Sequence, residues 1–124
     1  EVKAILDWEL STLGNPIADF TYHMMSWRLP AGAKGLGMMG SDLKSLNIPS
    51  ESEYAELYYK KTGREKIDNW DFYRASNIFR LSGIAQGIVG RVRDGTASSS
   101  EAKNYEAFVP ILGKLGWSIV EGIK

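Results

Sequence analysis

The sequence contains no cysteine, one histidine and no excess of either charge: fifteen Lys plus Arg stand against fifteen Asp plus Glu in 124 residues. Without cysteine there are no disulfides, thiolate zinc sites, iron–sulfur clusters or cysteine nucleophiles, and His23 alone cannot build a histidine-rich metal site. The charge balance argues against a protein that coats nucleic acid or anionic lipid, since such binding is built on a surplus of cations. No stretch approaches the ~18 consecutive apolar residues of a membrane span, and the N-terminus lacks the pattern of a signal peptide. The expectation is one cytoplasmic domain covering residues 1–124, with no membrane and no nucleic acid as partner. At 44% hydrophobic the chain has enough apolar content for a real core.

The sequence opens on Val2-Lys3-Ala4-Ile5-Leu6-Asp7, an apolar run with β-branched residues that reads as a buried strand, without an initiator Met before it. Domains more often begin with a polar, frayed end. The expectation is therefore a piece of a longer protein, cut before an element of a larger sheet.

Beyond that run the pattern is helical. Asn15-Pro16 starts a first helix over 16–27, with Asn15 as cap and Pro16 where a missing amide costs nothing. Its Phe20, Met24 and Trp27 mark one buried stripe, and Pro30 ends it. Residues 28–49 hold two prolines and four glycines and read as a long mobile loop, with a helical turn near 41–46. Ser50 and Glu53 form a capping box for a second helix over 51–62, closed by Gly63. A third helix over 70–94 places Ala75, Ile78, Leu81, Ile84, Ala85, Ile88, Val89 and Val92 on one face, and Ser76, Gly83, Gly87 and Gly90 on another. Each glycine costs about 1 kcal/mol relative to alanine, so this helix is expected to be packed on both faces. Ser98 and Glu101 offer a second capping box. The last helix carries Tyr105, Phe108, Leu112, Leu115, Ile119 and Ile123, with Pro110 expected to kink or split it.

Few constellations carry chemistry. Gly35-Leu36-Gly37-Met38-Met39-Gly40 matches the dinucleotide fingerprint in letters, but no strand feeds it and no βαβ unit surrounds it, so it reads as loop. His23 has no nucleophile motif to serve and reads as structural or superficial. Lys60, Lys61, Arg64, Lys66, Arg91 and Arg93 are interspersed with acids and read as solvated faces. Asp7 and Glu9, directly after the apolar run, could hold a hard cation, although a turn-forming Asp accounts for the same letters.

The run Ala4-Ile5-Leu6-Asp7-Trp8-Glu9, with Thr12, Gly14-Asn15-Pro16 and Asp19-Phe20, resembles the segment after the catalytic loop of the aminoglycoside phosphotransferase (choline kinase-like) family. Ile48-Pro49-Ser50-Glu51, Asn69-Trp70-Asp71-Phe72-Tyr73, Gly83-Ile84-Ala85-Gln86-Gly87 and Asp94-Gly95-Thr96 resemble its branch found fused to, or encoded beside, acyl-CoA dehydrogenases.

The resemblance implies a mainly α fold, the helical part of a protein-kinase-like C-terminal lobe with a short N-terminal strand. By it Asp7 is the ligand that holds Mg2+ against ATP, Glu9 supports it, Asp19 is a buried structural carboxylate, and Asn15 replaces the usual Asp of Gly-Asp-Pro as a cap. The implied function is part of an ATP-dependent phosphotransferase acting on a small-molecule hydroxyl, with a hydroxyacyl-CoA as the suggested acceptor. In it the loop at 28–49 serves as a lid, and Trp70, Phe72 and Tyr73 form a substrate wall. The family's glycine loop, phosphate-pairing lysine and catalytic loop all precede this segment, so the chain alone should be inactive. The alternative is a non-catalytic helical interaction module, or a degenerate lobe, that docks on a partner such as an acyl-CoA dehydrogenase. Self-association through the exposed N-terminal strand region is expected under either reading.

Overall fold

A computed structural model describes residues 2–7, 9, 11–31 and 37–122. The chain is mainly helical, as its periodicity implies: α1 (Pro16–Met24), α2 (Glu51–Thr62), α3 (Trp70–Arg93) and α4 (Tyr105–Gly122), with 3-10 turns at Met25–Trp27 and Ser100–Asn104. No sheet forms among the described residues; the one bridge pairs Pro30 with Met39. The expected strand at 2–7 is absent, and those residues are irregular and exposed. An apolar run becomes a strand only where another strand accepts its hydrogen bonds, and the described residues supply no such partner.

The helix starts follow local chemistry. The Asn15 side chain accepts from the Ile17 amide at 2.9 Å, and Pro16 occupies the first turn. The Ser50–Glu53 box is complete: the Glu53 carboxylate accepts from the Ser50 amide at 2.8 Å and from its hydroxyl at 2.7 Å, and the Ser50 oxygen accepts from the Glu53 amide. Those Ser50 bonds, the hydroxyl first, hold the Glu53 carboxyl below its ordinary pKa. The box therefore supports α2 above the usual carboxylate range and lets go as pH falls through it. Gly63 closes α2 at φ 66°, and Gly95 follows α3 at φ 69°, both left-handed positions that a side chain would strain.

Around α3 the core gathers: Met25, Leu29, Ile78, Leu81, Ala85 and Leu112 form a buried cluster, flanked by Tyr22, Tyr105, Phe108, Val109, Leu115 and Ile119. Gly116 makes the α3–α4 approach possible, since a Cβ there would meet Ile78 Cγ2 at 3.2 Å. A buried polar tie joins α1 to α3. Asn77 donates to the Ala18 carbonyl at 2.9 Å and to the Thr21 hydroxyl oxygen at 2.8 Å, while Thr21 donates to the Ile17 carbonyl at 2.7 Å.

Several expectations give way. The glycine face of α3 is not packed: a Cβ at Gly83 or Gly90 would meet nothing, and at Gly87 only the tip of Arg91. Pro110 does not split α4. Pro110 and Glu106 are both exposed, so water can serve the carbonyl whose amide partner the proline lacks. The cap before the last turn is Ser99, accepting from the Glu101 amide at 3.2 Å, rather than Ser98. The loop at 28–49 is pinned at its described ends: Met38 donates to Ser26 at 2.7 Å, Met39 to Leu29 at 3.0 Å, and Ala31 to Met39 at 3.1 Å. Gly32 and the Gly35-Leu36 start of the glycine pattern lie outside the described residues, as do Trp8 and Ile123.

Candidate functional site

The helix α2 has no buried residue, and side chains fasten it to the rest. The Phe20 ring of α1 stacks on Tyr58 at 3.8 Å between centroids and on Tyr54 at 5.6 Å, and Trp27 stacks on Tyr54 at 5.1 Å. The Trp27 indole also donates to the Pro49 carbonyl at 3.0 Å. His23 is exposed, edge-on to Trp27, which agrees with a superficial role.

Beside this aromatic layer lies the one dense charge cluster among the described residues. Glu51 receives Arg28 and Arg74, each at 2.6 Å, and Arg74 also reaches Asp71 at 2.8 Å while covering the Trp70 ring at 5.2 Å. Glu51 and Arg74 are largely shielded from water, and the Arg74 Nε is buried without a hydrogen-bond partner. Removing Glu51 would leave the shielded Arg74 with Asp71 as its remaining acid and one charged contact short. Glu51→Ala should therefore cost about 2 kcal/mol and loosen α2 first. Hydrogen exchange should show faster exchange at the α2 amides while α3 and α4 stay protected.

The residues singled out from the sequence do not converge. Asp7 is exposed, at φ 61°, after the irregular run, and Glu9 is exposed two residues on. Among the described residues no three acidic, histidine or cysteine side chains group closely enough to hold a metal ion. Asp7 and Glu9 stand as exposed carboxylates outside any such group. Asp19 is exposed in the first turn of α1, not buried. It gains there from the partial positive charge of the helix end, which explains its place without a bracing role.

Asn15 does more than cap. Its amide nitrogen donates to the Tyr73 hydroxyl at 2.6 Å, which ties the start of α1 to α3. Trp70 lies against Arg74 and Phe20, Tyr73 reaches Asn15 and meets the Phe72 ring edge-on at 5.6 Å, and Phe72 also lines a groove between α3 and α4. A turn of about 200° along the helix sets Phe72 away from Trp70.

That groove encloses about 580 Å³, walled by Phe72, Phe79, Trp117 and Val120 over a floor that includes Ala75 and Gly113. Sequence reading missed it. Phe79 and Trp117 fall outside the apolar stripes by which α3 and α4 pack, and that misfit was the available signal.

What these features define is a small helical packing module with apolar surface left open. Its relatives are of one kind. The chain is 41% identical over 118 residues to mouse (Mus musculus) acyl-CoA dehydrogenase family member 10, covering 94% of this chain and 11% of that protein. It is 34% identical over 116 residues to human (Homo sapiens) acyl-CoA dehydrogenase family member 11, covering 93% and 15%. It is 33% identical over 107 residues to the probable acyl-CoA dehydrogenase IBR3 of Arabidopsis thaliana, covering 81% and 13%. The chain thus spans 11–15% of the length of these relatives. No family model matches the chain, and no solved structure does.

These relatives correct the family suggested by the motifs: across most of the chain they are named acyl-CoA dehydrogenase family members, not aminoglycoside phosphotransferases. The kinase reading goes with that assignment. None of the helices, over the described residues, is long and apolar enough to cross a membrane.

Proposed function

We propose that this chain is a non-catalytic helical module that docks on an acyl-CoA dehydrogenase. The observation that carries this reading is the apolar N-terminal run, where Val2, Ile5 and Leu6 are 81, 65 and 79% exposed. Three large aliphatic side chains in water within five residues contribute nothing to this fold, and each releases about 1.5–3 kcal/mol when a partner covers it. The resemblance over 94% of the chain to proteins bearing the dehydrogenase name supports the choice of partner.

Calorimetric titration of this chain into a purified acyl-CoA dehydrogenase of the same organism tests the reading. Micromolar binding that weakens at least ~10-fold when Ile5 and Leu6 are both changed to Asp is the expected result, since each loses more than ~1 kcal/mol of burial. No binding by the unaltered chain would sink it.

A further inference from the structure

The groove between α3 and α4 is separate from the N-terminal run, and its chemistry is self-complementary. We propose that it is the seat of a second copy of this chain, the α3–α4 pair of one copy packing on that of the other about a two-fold axis.

Three observations converge on this occupant. First, one patch holds both knobs and hollows. Phe79 on α3 and Trp117 on α4 project, while Ala75 and Gly113 leave room between them, and a Cβ at Gly113 would meet nothing. A two-fold interface applies the same patch twice, so it requires projections and recesses on one surface. The Trp117 indole donates to the Glu121 carboxylate at 2.9 Å, which fixes the ring before any partner arrives.

Second, none of the groove's lining residues is charged, and the whole chain has no net charge. The lining of two copies sets no like charges face to face, and the Glu121 carboxylate beside it is held by the Trp117 indole. A lipid surface or a charged peptide would find no counter-charge in the lining.

Third, the area suits a reversible dimer. Phe72, Phe79 and Trp117 are 63, 78 and 62% exposed, together the equivalent of about two whole aromatic side chains or ~400 Å². With Val120 and the floor, each copy offers roughly 500–600 Å², so a dimer would bury about 1,000–1,200 Å², the lower edge for specific interfaces. Two pairs of helices packed in this way form a four-helix arrangement, a common solution for uncovered helical faces.

Sedimentation of the 124-residue chain across micromolar to submillimolar concentration is the test. A reversible dimer populated by ~100 µM is expected. Phe79→Asp and Trp117→Glu should each weaken it more than ~30-fold by placing a charge in the closed groove. Gly113→Gln, which fills the hollow at a position with open space, should fold normally by circular dichroism and likewise lose the dimer. The Ile5→Asp, Leu6→Asp double variant should dimerise unchanged, which separates this proposal from the dehydrogenase docking above.

A chain that stays monomeric throughout would overturn the proposal and leave the groove to a different helix. So would a dimer that survives the groove variants and is lost in the Ile5, Leu6 variant.

Discussion

Replacing Asn77 by Asp, an exchange of the amide nitrogen for oxygen, should destabilise the fold by about 3–4 kcal/mol at neutral pH. The Asn77 amide nitrogen faces two oxygens, the Ala18 carbonyl and the Thr21 hydroxyl. The Thr21 proton is already committed to the Ile17 carbonyl. A carboxylate would therefore meet acceptors where the amide meets partners, in a place closed to water. The form least costly to the fold is the protonated acid, which can still donate one hydrogen bond, so the folded pKa of the new carboxyl must rise above its unfolded value of ~3.9.

A raised folded pKa leaves stability intact below the unfolded pKa and removes it as pH climbs through the folded one. The difference between the Asn77→Asp variant and its parent should accordingly be small near pH 3 and full near pH 7. Urea unfolding of both proteins across that range measures it, and a pH-independent difference would show that the amide is not seated as described.

Leu112→Ala carries the second large effect. Leu112 is 0% exposed and meets the cluster of Ile78, Leu81, Ala85, Met25 and Leu29. Leucine-to-alanine changes in cores cost ~2–5 kcal/mol, according to how far the surroundings collapse into the space. Collapse is blocked here, because α3 and α4 already meet at the Gly116–Ile78 contact. The expected loss is about 3–4 kcal/mol, a large part of the ~5–15 kcal/mol that holds such a domain, and the midpoint should fall by roughly 10–20 °C. Ile111→Ala, one residue away and half exposed, should cost under ~1 kcal/mol. Thermal unfolding of the pair separates burial from helix propensity.

The parts of this fold that could be read in the sequence are those fixed by neighbours along the chain. The Ser50–Glu53 box, Asn15-Pro16 and Gly63 each satisfy or release backbone groups within a turn, and each lies where its letters place it. Where the outcome depends on distant residues, the letters were ambiguous. The run at 2–7 has strand composition without a strand to pair with, and the glycines of α3 suggested a second packed face where the structure has open space. Ser98, Ser99 and Ser100 are interchangeable as caps by sequence, and only the path of the chain selects Ser99.

The candidate sites were less legible. Asn77 and Thr21 are polar letters inside helical stripes, and nothing local shows that they meet across 56 residues. The adjacency of Trp70, Phe72 and Tyr73 suggested one wall, but helical rotation separates Trp70 from Phe72, while Tyr73 meets both Asn15 and the Phe72 ring. Phe79 and Trp117 share a groove only because α3 and α4 run side by side.

The attachment of α2 divides the molecule into two tiers. Rings and a shared carboxylate hold this helix, with no side chain of its own in the interior, whereas α1, α3 and α4 share closed contacts. Such a helix can detach as one cooperative unit at a lower free energy than global unfolding. Its departure would bare Phe20 and Trp27 together and leave the three-helix remainder standing.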